Sequence, residues 1–223
     1  FLYLFYGVTS GGKTYTMSNI INEKANEGCF DELDFSCYEI YLDEIYDLLD
    51  NRKKIKLTEE KKKIRWDKDM FLSAIKHRHV GPTLINKLSS RSHLIVEIKD
   101  SIYVDLAGSE RAKKTQAIGT ALREAQSTNK SLLELGIVIR NLSEKSSYIN
   151  FRNCNLTLFL KNYLLTCRLS VIICVPLHSE EENHEAFKFG IGRIGEKKMK
   201  NVKGQLNLIK WDEQDEEREI IEN

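Results

Sequence analysis

The chain has 223 residues, 41% of them hydrophobic and 30% charged, with a net charge of +1; that is the balance of a water-facing globular protein with one sizeable core, not of a disordered or fibrous chain. No apolar run approaches the roughly 20 residues that span a bilayer, and the opening apolar segment has no basic flank ahead of it, so it does not read as a secretory leader. The near-neutral total hides an asymmetry. Residues 211–223 carry seven acids against one arginine, a net −6, which leaves about +7 on the rest: either a basic body for a polyanionic partner, or, as charge alone favours, a solvated basic face with a disordered acidic end.

Phe1 to Tyr6 is an apolar strand. It runs into Gly7-Val8-Thr9-Ser10-Gly11-Gly12-Lys13-Thr14, which fits the phosphate-loop pattern G-x-x-x-x-G-K-[ST] without a mismatch. Tyr15 to Glu27 can continue as a helix, giving the strand–loop–helix context the motif needs. In such a loop successive N–H groups face an anion and the helix start adds its positive dipole end. Lys13 is expected to reach the β- and γ-phosphates and the Thr14 hydroxyl to ligate Mg²⁺. The glycines are expected to let the backbone approach phosphate with no Cβ in the way. Gly7, Val8, Thr9, Ser10, Gly11, Gly12, Lys13, Thr14 and Tyr15 are the candidate nucleotide contacts. The chain begins at Phe1, one strand before this loop, so either it is a fragment or further residues precede it.

Asp34 to Tyr41 alternates as a strand, and Asp43 to Leu49, with Leu42, Ile45, Leu48 and Leu49 at helical spacing, reads as a short helix. Asn51 to Arg65 is strongly basic and suits a surface loop or two short edge strands. Asp69 to His79 reads as an amphipathic helix with Met70, Phe71, Leu72 and Ile75 as its apolar contacts, ended by Gly81-Pro82. Ser89-Ser90-Arg91 offers hydroxyls for Mg²⁺ or water ahead of the strand Leu94 to Ile98. Ile102 to Glu110 is an apolar strand ending in Asp105 and then Gly108, the layout of a Walker B strand with a phosphate-sensing loop behind it. Ala117 to Leu142 carries the periodicity of one long helix, Asn155 to Leu165 of another, and Leu169 to Val175 of a buried strand closed by Pro176. Glu180 to Phe189 is helical. Lys197 to Ile209 reads as a basic extended tail. The five cysteines, Cys29, Cys37, Cys154, Cys167 and Cys174, lack metal-ligand spacing and read as reduced thiols.

Asn86-Lys87-Leu88-Ser89-Ser90-Arg91-Ser92-His93 and Asp105-Leu106-Ala107-Gly108-Ser109-Glu110, in this order after the phosphate loop, resemble the two switch motifs of the kinesin motor domain. The resemblance continues through Tyr38-Glu39-Ile40-Tyr41, Arg78-His79-Val80, Asn129-Lys130-Ser131-Leu132, Leu156-Thr157 and Phe187-Lys188-Phe189-Gly190, and covers the chain to about Leu208. It implies an α/β P-loop NTPase fold of kinesin type: a central mostly parallel or mixed sheet flanked by helices on both faces, here with the first strands missing. It implies a motor-like domain over 1–196, a neck-linker-like segment over 197–210 and an acidic tail over 211–223, disordered or the start of a neck.

The implied activity is microtubule-stimulated ATP hydrolysis with ATP and Mg²⁺. Thr14, Ser90 and Asp105 would hold the metal, the Gly108 N–H would sense the γ-phosphate, and Arg91 with Glu110 would form the gate pair, Glu110 taking the proton from the attacking water. Tubulin would be the partner, on the cytoplasmic cytoskeleton, with no nucleic acid and no membrane. A homodimer would rest on sequence outside the chain. Filament contacts implied include Lys53, Lys54, Lys113, Lys114, Lys130 and Arg152, with Lys61 to Lys63, Arg111 and Lys145 nearby. Asn155 stands where the family pattern has lysine, so weaker filament binding is expected.

With no strand ahead of Phe1, the sheet is expected to carry an exposed internal edge and the adenine ring little to pack against. The alternative is a degenerate kinesin-like domain that binds microtubules or a partner without turning over ATP. A GTPase is disfavoured by the absence of an Asn-Lys-x-Asp guanine-reading motif.

Overall fold

The computed structural model describes residues 1–9, 11–30, 32–58, 63–78, 91–109 and 119–175, and the backbone of 176, 205–211 and 219–221. Ten strands form one sheet: β1 (Leu2–Tyr6), β2 (Asp34–Tyr41), β3 (Glu44–Asp47), β4 (Lys53–Ile55), β5 (Ile64–Arg65), β6 (His93–Ile98), β7 (Ser101–Asp105), β8 (Leu169–Pro176), β9 (Gln205–Trp211) and β10 (Glu219–Ile221). The described helices are α1 (Lys13–Asn26), α2 (Lys68–His77), α3 (Thr120–Ser143) and α4 (Asn155–Thr166). Strand order is β10-β9-β8-β1-β7-β6-β2-β3-β4, with β5 on β2. The centre is parallel, β1 lying between β7 and β8, while β6, β2, β3 and β4 are joined antiparallel. The sheet is therefore mixed.

The two faces follow from the two-residue period of the strands. In β1, Leu2, Leu4 and Tyr6 pack with α3 and α4 side chains such as Leu135, Ile139, Leu156 and Leu160. Phe5, between them, packs on the other face with Met17 and Ile21 of α1 and Phe71 and Ala74 of α2. β8 does the same, with Val171 and Ile173 on one face and Ile172 and Cys174 on the other. Helices thus cover both faces.

Two expectations are corrected. Asp43 to Leu49 is not a helix. Leu42 and Asp43 both take positive φ, 50° and 63°, and form a tight two-residue turn that pairs Tyr41 with Glu44 and folds β3 back on β2. Ile45 and Asp47 are buried along β3, Ile45 in the α3–α4 core, so leucines spaced like a helix belong to a hairpin and the turn after it. The sheet edge beyond β8 is also not bare: β9 runs parallel to β8 from Ser170↔Gln205 to Pro176↔Trp211, and β10 pairs antiparallel on β9. Residues 205–210 of the expected linker region are strand, as are 211 and 219–221 of the expected tail. The helix expected over 180–189 lies outside the described residues.

The remaining elements fall close to their expected spans. Asp67 begins α2, its carboxylate accepting from the Met70 N–H at 2.7 Å. Met70 itself is exposed, and Phe71 and Ala74 make the buried contacts. The basic stretch forms the short edge strands β4 and β5. All five cysteines are free thiols, with Cys37, Cys154 and Cys174 buried.

Candidate active site

The phosphate loop lies at the C-terminal end of β1, between β7 and β8, where parallel α/β sheets place ligands. Gly12 has φ +78°, the left-handed turn that starts α1, and Gly11 N–H donates to Val8 O at 3.2 Å. Two glycines have a packing reason that the sequence did not show. A Cβ on Gly7 would lie 2.0 Å from the Cys174 carbonyl oxygen, and one on Gly11 would lie 2.8 Å from the same atom. The loop is therefore pressed against the backbone of β8. Lys13 is buried, and its Nζ donates to Gly7 O at 2.9 Å and Val8 O at 2.6 Å. The ammonium is held inside the curl of its own loop. Tyr15, in the first turn of α1, is 43% exposed.

Asp105 ends β7 and is 1% exposed. Its Oδ2 accepts from the Thr14 hydroxyl at 2.5 Å and from Arg78 Nη1 at 2.6 Å. Arg78, buried just past the end of α2, also donates through Nε to Ser92 Oγ at 3.1 Å and through Nη2 to Ser92 O at 2.5 Å. One guanidinium thus ties α2 to the strand-entry segment and to the acid. Ser109 N–H donates to Gly7 O at 3.2 Å, which brings the turn after β7 against the phosphate loop. Gly108 is buried within that turn.

The sequence-expected residues Lys13, Thr14, Asp105 and Gly108 therefore converge. Ser10, Ser90 and Glu110 lie outside the described residues. Arg91 bonds to Glu124 of α3; its expected gate partner Glu110 is among the residues not described.

His93, at the start of β6, is a joint that sequence reasoning left without a role. Its Nδ1 accepts from Ala107 N–H at 3.0 Å, which requires the other tautomer position, Nε2–H, to donate to Ser131 Oγ at 2.7 Å. Ser131 Oγ donates to Thr128 O at 2.8 Å. Burial first, then the nearby charges of Arg78 and Lys13, push the imidazole down to about 3, so it is neutral at ordinary pH. Arg78 and Glu124 were equally missed. Neither spacing nor composition announces a buried arginine at a helix end or a glutamate whose partner is 33 positions away.

Asp105 Oδ1 is buried and has no hydrogen-bond partner among the described residues. An orphaned carboxylate oxygen beside a threonine hydroxyl at the end of a phosphate loop fits a hydrated Mg²⁺, whose waters would satisfy it. The loop itself fits the phosphates of a nucleotide.

The candidate filament residues that are described, Lys53, Lys54, Lys130 and Arg152, are on the surface. Lys53 and Lys54 of β4 pair loosely with Asp50 and Glu44, at 3.9 and 3.1 Å, and Lys130 and Arg152 are exposed. Arg52 is different. Its Nε lies 2.7 Å from the carboxylate of fully buried Glu39, and its guanidinium sits 4.3 Å from the Tyr46 ring centroid, so it is an internal counter-ion. Asn155 opens α4 by bonding the β2–β3 turn: its backbone N–H donates to Asp43 Oδ1 at 2.7 Å and its Nδ2 to Asp43 O at 2.5 Å. Asn153 Nδ2 donates to Glu134 Oε2 at 2.8 Å. These bonds bring the hairpin tip, the α4 start and α3 together. Lys113 and Lys114 lie outside the described residues.

The kinesin motor domain family model matches residues 2–191. The chain is 31% identical to human kinesin-1 heavy chain, covering 98% of this chain and 28% of that protein. It is 34% identical to kinesin heavy chain of Caenorhabditis elegans, covering 92% and 32%. The chain thus spans about a third or less of the length of these curated relatives. Among solved structures, a KIF14 dimer in complex with a microtubule superposes with a TM-score of 0.71 at 24% identity, over 92% of this chain and 72% of that one. A structure of kinesin motor ATPase mutants gives 0.61 at 27% identity, over 84% and 70%. With its phosphate loop, its switch motifs and nearly its whole length matched, the chain belongs to the kinesin motor domain family.

Proposed function

We propose that the chain is an ATP-driven microtubule motor domain, hydrolysing ATP when stimulated by the filament. The observation that carries this reading is the convergence of Lys13, Thr14, Arg78 and Asp105 on one loop pressed against β8, with Asp105 Oδ1 left as a free acceptor among the described residues. The relationship to a kinesin motor ATPase supports ATP as the nucleotide.

Lys13 would turn from Gly7 O and Val8 O to the β- and γ-phosphates, exchanging two carbonyls for a charged acceptor. Thr14 and Asp105, with Ser90, would hold Mg²⁺, which supplies charge neutralisation on the phosphate oxygens when bound. The Gly108 N–H would contact the γ-phosphate, so that contact would exist with ATP and be lost after hydrolysis. Arg91 and Glu110 would form the gate pair, and Glu110 would accept the proton of the attacking water. Phosphoryl transfer depends mainly on positioning and neutralisation, and this set is chemically sufficient for it.

Lys53, Lys54, Lys130 and Arg152, with Lys113 and Lys114, would supply a basic footprint for the acidic tubulin surface, and binding would weaken with salt. The test is ATP turnover with and without microtubules at low salt, with Lys13→Ala as the blank. Filament-stimulated turnover that the variant lacks is the expected result. Filament binding without any turnover would refute the catalytic reading.

A further inference from the structure

Glu124 belongs to α3, its side chain is nine-tenths buried, and both of its carboxylate oxygens are engaged. Its Oε2 accepts from Arg91 Nη1, and its Oε1 accepts from the Tyr41 hydroxyl at 2.7 Å. Tyr41 is pushed up to about 12, by burial first and then by this hydrogen bond, so its hydroxyl stays a donor. One helical turn further along, Thr128 Oγ1 donates to the Arg91 carbonyl at 3.2 Å. The next turn brings Ser131 to His93. Three buried polar residues of α3, at i, i+4 and i+7 and hence on one helix face, therefore hold the Arg91 head group, the Arg91 backbone and the His93 ring.

Arg91 stands one residue before Ser92, which Arg78 ties to Asp105 and so to Thr14. Its guanidinium is a third exposed, enough to turn, while the Thr128 bond retains the main chain. A guanidinium offers one planar fork, and a second strong anion nearby competes for it.

We infer that Glu124 is a positioning residue for Arg91: it holds the guanidinium on α3 until closure of the site on a nucleoside triphosphate draws it away. Tyr41 stabilises the held arrangement. This rests on the nucleotide reading above. A diphosphate lacks the group that drives this closure, so only triphosphate binding works against Glu124. In linkage terms, the carboxylate lowers triphosphate affinity by stabilising the arrangement that does not engage it.

The test measures the Kd of Mg·AMP-PNP and Mg·ADP for the protein, for Glu124→Gln and for both in an Arg91→Met background. Glutamine keeps the shape and the acceptor for Tyr41 but not the charge. The expected result is about 3- to 10-fold tighter AMP-PNP binding with ADP changed less than about 2-fold, and no such selectivity in the Arg91→Met background. AMP-PNP affinity unchanged or weakened relative to ADP would overturn the inference. So would the same gain without Arg91, which would mark a general charge effect.

Tyr41→Phe, which keeps both charges, gives a second reading should Glu124→Gln fail to fold: a gain of the same sign and about 2-fold is expected, and its absence counts against the inference. Failure of the unsubstituted protein to bind either nucleotide would overturn the nucleotide reading itself, and this inference with it.

Discussion

Replacing Arg78 by methionine tests whether the buried guanidinium is what keeps the site assembled. Arg78 and Asp105 have side chains 3% and 1% exposed, with Nη1 and Oδ2 2.6 Å apart. Methionine retains most of the apolar stem and removes three hydrogen bonds, one to Asp105 and two to Ser92. Asp105 would be left as a buried carboxylate with the Thr14 hydroxyl alone. Breaking a buried pair by removing one partner costs about 3–5 kcal/mol, because the remaining charge is uncompensated. A domain of this kind has only about 5–15 kcal/mol in total.

The second substitution decides the cause. Asp105→Asn on top of Arg78→Met removes the stranded charge while keeping an acceptor for Thr14, so the double variant is expected to recover about 2 kcal/mol of the loss. Urea unfolding followed by circular dichroism, without nucleotide, reads both numbers. A single-variant loss under about 1 kcal/mol, or a double variant as unstable as the sum of the two singles, would refute the reasoning that charge compensation, and not packing, is Arg78's contribution.

His93 makes a prediction about pH. Its folded value is held at about 3 against about 6.5 when unfolded, so the unfolded chain binds the proton first and stability falls as pH drops below about 6.5. From pH 7 to 5.5 this one group removes about 1 kcal/mol, and a His93→Gln variant is expected to lose that part of the slope in denaturant titrations at the two pH values; an unchanged slope would mean that the ring does not stay neutral in the fold. Asn155→Lys is expected to act on two quantities in opposite directions. It loses the side-chain bond to Asp43 O, for about 0.5–1.5 kcal/mol of stability, while tightening salt-dependent microtubule binding; an affinity that does not change in co-sedimentation at low salt would remove position 155 from the filament face.

The parts of the fold that the sequence made legible are those where one physical signal dominates. The phosphate loop is specified by glycines and a lysine within eight positions, and its flanking strand and helix follow at once. α3 is long enough for its periodicity to be unambiguous. The β3 hairpin was not legible because Leu42, Ile45, Leu48 and Leu49 satisfy a helical spacing, and because its turn is built from Leu42 and Asp43, residues that do not advertise positive φ. In the site, Lys13, Thr14 and Asp105 were legible from motif chemistry. The bonds that orient them were not: Arg78 reaches 27 positions to Asp105, Glu124 reaches 33 to Arg91, and His93 reaches 38 to Ser131. Such partners are set by how α2 and α3 cross the sheet, and one-dimensional patterning carries no record of that.

On the proposed motor reading, the parallel pairing of β9 on β8 would limit how mechanical work leaves this domain. The backbone that pairs with Gln205–Trp211 is the same strand whose Cys174 carbonyl backs the phosphate loop. A segment woven into the sheet is a wall and cannot at the same moment be a swinging lever. If 205–211 is to transmit force, it must first be peeled from β8, giving up a ladder whose bonds are worth about 0.5–1.5 kcal/mol each. A load on the C-terminal end would then be felt directly beneath the phosphate loop, so tension and any phosphate chemistry there would share one strand.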